Sequence, residues 1–302
     1  MPRFPNLTPM VQAMPGGVFS KVAHRFASLQ GEVYPLHVGD TWMEPVDGAR
    51  MENIGVEEHP GMHKYSRPHG HPALLDAIAT RRAVGTDRVL VTAGATGGLR
   101  GMTAALVNPG EEVMILSPFW PLIRGIVASN HGTPVEAPFY GRDGTVAERL
   151  TPYLSERTVA LYLNTPSNPT GKVLDESTMK ALADFAVTHG LWIWSDEVYE
   201  SYAYSRPHRS MLEFAPERTF LVQSFSKAYG MAGNRCGYVI GPSNPEALAE
   251  VRKITTHTYF SATTASQLGA ARALERGDDW VSSAKQMYRD AGYAAADALG
   301  VD

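Results

Sequence analysis

Residues 219–238 read TFLVQSFSKAYGMAGNRCGY, and the order of residue types in that stretch sets the architecture to expect. The run 219–223 is short, apolar and bounded by small polar residues, as a buried strand would be. Lys227 follows it almost directly, ringed by Ser, Gly and Ala, an odd setting for a surface lysine. A lysine amine forms an imine with an aldehyde, and a partly desolvated pocket favours its reactive neutral form. Gly230, Ala232 and Gly233 would let backbone approach a ligand closely. Arg235 offers a planar fork suited to a phosphate, and Ser224 and Ser226 offer hydroxyls to the same group.

The same grammar of short strand then polar cluster repeats upstream. Strands are expected at 88–92, 113–116, 133–137, 159–163 and 191–195, with a last one at 238–240. Helices are expected at 74–82, from a glycine turn at 94–98 through 106, from 121 towards 130, and at 175–189. Short apolar strands separated by helices predict an α/β fold, a three-layer α/β/α sandwich with a mostly parallel central sheet. In such sheets chemistry gathers in the loops after the carboxyl ends of the strands. The clusters 94–98, 117–120, 164–171, 196–199 and 224–235 all stand there. Beyond residue 244 the chain turns helical and Ala-rich, with helices expected at 265–274 and 279–299.

Composition narrows the classes of function. The net charge of -4 comes with interspersed signs and no basic run, so no nucleic-acid partner is expected. Cys236 is the single cysteine, which excludes an intrachain disulfide and a Cys-rich zinc site. The N-terminal stretch is broken by Pro and Gly and lacks the apolar core of a signal peptide. No apolar run approaches the length of a membrane span, so a soluble, cytoplasmic protein is expected. His59, His63, His69 and His71 lie close in sequence, but Pro60, Pro68 and Pro72 interrupt any helix that would align them, and no metal is expected. Cys236 reads as a small buried thiol rather than a nucleophile.

The stretch SFSKAYGMAGNRCGY, 224–238, resembles the Schiff-base lysine signature of the class I/II aminotransferases, which are fold-type I enzymes dependent on pyridoxal phosphate (PLP). NTPSNPTG, 164–171, resembles the family's N-P-x-N-P-T-G loop with Thr165 inserted, and DEVY, 196–199, resembles its D-E-x-Y motif. The resemblance implies that Lys227 holds PLP and that Asp196 faces the pyridine nitrogen. It implies that Asn168 and Tyr199 hydrogen-bond the phenolic oxygen, and that Ser224, Ser226 and Arg235 take the phosphate. A ring nitrogen that must stay protonated gives a physical reason for a buried carboxylate at Asp196. Ala95 and Thr96, in GATGG at 94–98, match further phosphate contacts at a helix start. Trp120, in SPFW at 117–120, matches the aromatic that stacks on the pyridine ring. Tyr65, in HKYSRPHG at 63–70, matches a tyrosine that reaches the phosphate of a partner subunit, which implies a homodimer with shared sites. Gly39, in LHVGD at 36–40, matches a glycine near the substrate carboxylate.

By the same resemblance residues 1–40 form an N-terminal segment, 41–275 the PLP-binding large domain, and 276–302 the start of a truncated C-terminal small domain. Family members continue past this point, and no residue here matches the arginine that takes the substrate's α-carboxylate. The implied activity is amino-group transfer between an amino acid and a 2-oxo acid. A C–S lyase, a cyclising enzyme or a decarboxylase on the same scaffold, or a PLP-binding protein without turnover, would share these contacts.

Overall fold

The computed structural model describes residues 5–14, 23–33 and 39–301. Residues 34–38, most of the stretch that leads into Gly39, lie outside the described residues, as do much of the N-terminal segment and residue 302. A short helix α1 (Pro9–Ala13) precedes α2 (Pro72–Arg82), and then strands and helices alternate. In chain order these are β1 (Val89–Thr92), α3 (Gly94–Leu106), β2 (Glu112–Ser117), α4 (Leu122–Ala128), β3 (Thr133–Pro138) and α5 (Val146–Leu150). They continue as β4 (Thr158–Asn164), α6 (Glu176–Thr188), β5 (Trp192–Asp196), β6 (Thr219–Ser224), α7 (Phe225–Ala228) and β7 (Gly237–Ile240). Three helices close the chain: α8 (Pro245–Tyr259), α9 (Thr264–Arg276) and α10 (Asp278–Leu299).

The seven strands form one sheet in the order β1-β7-β6-β5-β4-β2-β3. The pairs β2·β3, β2·β4, β4·β5 and β5·β6 are parallel, and only β7 runs against its neighbours. The expected sheet is therefore present, with one reversed strand near its edge. Alternation along each strand sends successive side chains to opposite faces. Leu90, Ile115, Tyr162, Trp194, Phe220 and Val239 pack with residues of α3, α4 and α8. Their neighbours Met114, Leu161, Leu163 and Ile193 pack with α6, while Val89, Val91, Leu221 and Ile240 pack with α2 and α9. Three layers follow from that alternation.

Two expectations need correction. The residues 94–98 are not a turn before a helix; they are its first turn. The glycines serve packing instead: a Cβ at Gly98 would lie 2.7 Å from Val239 Cγ2, so the helix can rest on the sheet only without it. Lys227, expected in a loop, stands in the short helix α7, whose first turn is capped by the Ser224 hydroxyl accepting from the Ser226 amide. Four helices were given no bounds from the sequence: α1, α5, α7 and α8, the last within the stretch beyond 244 that was expected to be helical. Asn244 caps α8 with Pro245 at its first position, and α5 opens with a capping box between Thr145 and Glu148. Those caps were the available signals.

Candidate active site

The carboxyl ends of β1, β2, β4, β5 and β6 open onto one cavity of about 530 Å³. Its wall near α3 carries Ala95 and Thr96, in the first turn of the helix, where unpaired amides and the helix dipole favour an anion. Gly94 has φ +71°, and a Cβ there would sit 2.6 Å from Arg235 Nη2, so the absence of a side chain admits the guanidinium beside the helix start. Arg235 itself sits at φ +50° and donates from Nη1 to the Ala232 carbonyl at 2.8 Å and to Ser226 Oγ at 3.5 Å. Ser224 Oγ donates to Ser226 Oγ at 2.8 Å. Two hydroxyls, a guanidinium and a helix start thus line one end of the cavity.

Lys227 borders the same space and donates from Nζ to the carbonyl oxygen of Gly39 at 2.7 Å. Burial lowers its pKa and the nearby Arg235 charge adds to that, while Asp40 opposes. A lowered pKa puts more of the amine in its neutral, nucleophilic form.

Asp196, the last residue of β5, lines the same cavity and is 4% exposed. Tyr162 donates its hydroxyl to Oδ2 at 2.8 Å, and the Val198 amide reaches Oδ1 at 3.4 Å. Burial pushes the carboxyl up to about 6, against the pull of those two donors. Among the described residues no lysine, arginine or histidine pairs with it. A buried carboxylate lining a cavity, with no cation paired to it among the described residues, suits a cationic partner such as a protonated ring nitrogen.

Beside it Asn168 Nδ2 lies 3.4 Å from Tyr199 Oη, both on the cavity wall. The loop that carries Asn168 is tied down by Asn164, whose Oδ1 accepts from the Asn168 amide at 2.6 Å and whose Nδ2 donates to the Asp196 carbonyl at 2.8 Å. Trp120 flanks the cavity with Phe119 and Leu122. The fold thus brings together Gly39, Ala95, Thr96, Trp120, Asn168, Asp196, Tyr199, Ser224, Ser226, Lys227 and Arg235. Tyr65 alone stands apart. It is 89% exposed and its ring meets Phe260 at 4.9 Å between centroids, away from this cavity.

The whole-family model for aminotransferases of class I and II matches residues 32–291. The chain belongs to the class I and II aminotransferase family. Among its relatives is a probable aspartate/prephenate aminotransferase of Thermus aquaticus, 35% identical over 238 residues, which are 76% of this chain and 62% of the relative. An aspartate aminotransferase of Pyrococcus horikoshii is 32% identical over 287 residues, covering 90% and 72%. A solved Thermus thermophilus aspartate aminotransferase mutant superposes with a TM-score of 0.89 at 30% identity, over 98% of this chain and 81% of that one. The chain spans about three-fifths of the length of the aspartate/prephenate aminotransferases it matches.

Within this aminotransferase fold several contributors escaped the sequence reading. Tyr162 was hidden in an apolar strand, and Asn164, named only as the start of the loop 164–171, ends β4 instead; the pairing of β4 with β5 gives both Asp196 as a partner. Glu197 is fully buried but turned away from the chemistry. Its carboxylate accepts from Ser195 Oγ at 2.8 Å and the Met211 amide at 2.9 Å, and pairs with His208 at 2.9 Å. Cys236 is buried and its thiol is pushed up to about 12, in keeping with an inert core residue.

Proposed function

We propose that this protein is a PLP-dependent aminotransferase that moves an amino group between an amino acid and a 2-oxo acid. The observation that carries this reading is one cavity lined by a lysine, by a buried carboxylate with no cation paired to it among the described residues, and by an arginine, two serines and a helix start suited to an anion. The residues present fit PLP. Arg235, Ser224, Ser226, Ala95 and Thr96 would hold its phosphate, and Trp120 would cover one face of its ring. Asn168 and Tyr199 would donate to its phenolic oxygen. When bound, PLP supplies an aldehyde for the amine and an electron sink for the bond broken next to it.

The chain's own residues do the rest. Asp196 keeps a proton on the ring nitrogen, because its burial and its lack of another cation make the pairing favourable. Lys227 Nζ would hold the cofactor covalently. Freed by an amino substrate, the amine would take the proton from the substrate α-carbon and deliver it to the cofactor carbon. Its lowered pKa suits both tasks. The apolar wall of Phe119, Trp120 and Leu122 excludes water from that exchange.

The assembly follows from the same reading. Tyr65 would reach the phosphate in the site of a partner subunit, which its exposure and its place outside the lining of its own cavity support. A homodimer with shared sites is thus part of the proposal, as is a cytoplasmic location, supported by the single unpaired cysteine. No helix among the described residues is long and apolar enough to cross a membrane. Residues 41–275 would form the cofactor-binding domain and 276–302 the beginning of a second one.

The decisive experiment is a visible absorption spectrum of the protein supplied with PLP, before and after each of a panel of amino acids. Aspartate comes first, because it appears in the names of several relatives. A band that appears with PLP and bleaches with an amino acid supports the reading. A band that no amino acid changes supports a PLP-binding protein without turnover, and ammonia released in place of a 2-oxo acid exchange supports a lyase.

A further inference from the structure

We propose that Tyr162 is a positioning residue for Asp196, whose hydroxyl, donated to Oδ2 at 2.8 Å, orients the carboxylate and keeps it ionised towards the ring nitrogen of the cofactor. This rests on the role given to Asp196 above. Tyr162 is 0% exposed in β4, flanked by the buried Leu161 and Leu163. A phenol in that place loses its water and needs a partner.

The register of the sheet supplies one. Tyr162 lies opposite Trp194 and Asn164 opposite Asp196, so the four side chains share one face and the phenol reaches diagonally, one step along β5, to the carboxylate. The two carboxylate oxygens are unequal. Oδ1 receives only the long contact from the Val198 amide, whereas Oδ2 receives the hydroxyl. The Tyr162 hydroxyl thus makes the shorter of the two contacts that set how the carboxylate faces the cavity.

The hydroxyl also acts on charge. Burial and the Asp196 charge push the phenol well above its ordinary value, so it cannot give up its proton and serves only as a donor. A neutral donor favours the ionised carboxylate and opposes the burial that raises it. The other groups that bear on this carboxyl are Glu197, whose charge also raises it, and Tyr199; Tyr140 acts on Tyr162, and β6 presents only Val222 in register. None of these donates to Oδ2.

The test compares wild type with Tyr162→Phe in two measurements. One follows the Asp196 carboxyl by carbon NMR in aspartate-labelled, cofactor-free protein across the acid to neutral range. The other measures PLP affinity by fluorescence. The Phe variant is expected to raise the carboxyl midpoint by about half a pH unit or more and to weaken PLP at least about threefold, as loss of one buried donor to a charged group implies. An unmoved midpoint with unchanged PLP affinity would mean that Tyr162 only fills space, and would overturn the inference. If the Phe variant does not fold, 3-fluorotyrosine introduced at position 162 decides the matter. Its stronger donor must move the midpoint down, and no movement overturns the proposal. Wild-type protein that takes up no PLP would overturn the functional reading and this inference with it. Binding of PLP with an unmoved titration overturns this inference alone.

Discussion

Lys227 Nζ and the carbonyl oxygen of Gly39 lie 2.7 Å apart, joining the one amine in the cavity to a residue 188 positions earlier in the chain. Gly39, matched from the sequence to a glycine near the substrate carboxylate, meets Lys227 through its backbone carbonyl. The contact holds the amine over the cavity until a carbonyl group competes for it. Lys227→Ala should abolish the borohydride-reducible PLP adduct and lower turnover by about a thousandfold or more, the scale of a lost proton shuttle and nucleophile together. Mass analysis of the reduced, digested protein checks the first outcome. A reducible adduct surviving in the variant would show that another lysine holds the cofactor.

The carboxyl of Asp196 predicts how stability depends on pH. Its folded pKa is about 6 and its ordinary value is 3.8. Between the two, the folded protein holds a proton that the unfolded chain has released, so stability falls as pH rises through that window. The full effect is at most about 3 kcal/mol, at about 1.4 kcal/mol per pH unit. Denaturant titrations of cofactor-free protein from pH 4 to pH 7, values flanking that window, should show this slope, and Asp196→Asn should remove it. Equal slopes in the two proteins would count against a buried, uncompensated acid.

Gly94 combines a positive φ with a guanidinium 2.6 Å from where its Cβ would be. Gly94→Ala should therefore cost about 1–2 kcal/mol in unfolding free energy and displace Arg235. Phosphate affinity should fall with it. Calorimetry of PLP binding alongside a melting curve separates the two effects, and a variant with wild-type affinity would place the phosphate elsewhere.

Glu197 accepts from Ser195, Met211 and Ser210 and pairs with His208, entirely out of water. Glu197→Ala should leave these donors and a buried imidazole without their partner, at a cost of about 3–5 kcal/mol. Glu197→Gln keeps the amide oxygen as an acceptor and should lose less. Chemical denaturation of the three proteins checks the order; an Ala variant as stable as wild type would mean that water replaces the carboxylate.

The strands were legible because each is a short apolar run closed by small or polar residues, and the structure shifts their ends by a residue or so. Strand 191–195 became Trp192–Asp196, which carries Asp196 into the sheet itself. Helix 175–189 became Glu176–Thr188 with Asp175 as its cap. By contrast, α8 buries only Leu248, Val251 and Thr255 among many Thr and charged residues, so its apolar stripe was too thin to place it.

The sequence by itself determined the chemistry on offer: a lysine after a strand, a carboxylate at a strand end, an arginine among glycines, and the α/β alternation that sends such residues to one edge of a sheet. Those properties are local, because they depend on residue type and on neighbours within a few positions. Only the tertiary structure decided which strands lie side by side. Apolar runs of similar length are interchangeable in pattern, and the order β1-β7-β6-β5-β4-β2-β3 depends on how helices pack across both faces. That order puts Tyr162 against Asp196 and Gly94 against Arg235, while Gly39, outside the sheet, meets Lys227 by packing of the N-terminal stretch. Each is a contact between residues far apart in the chain, whose strength comes from burial that no single segment possesses alone.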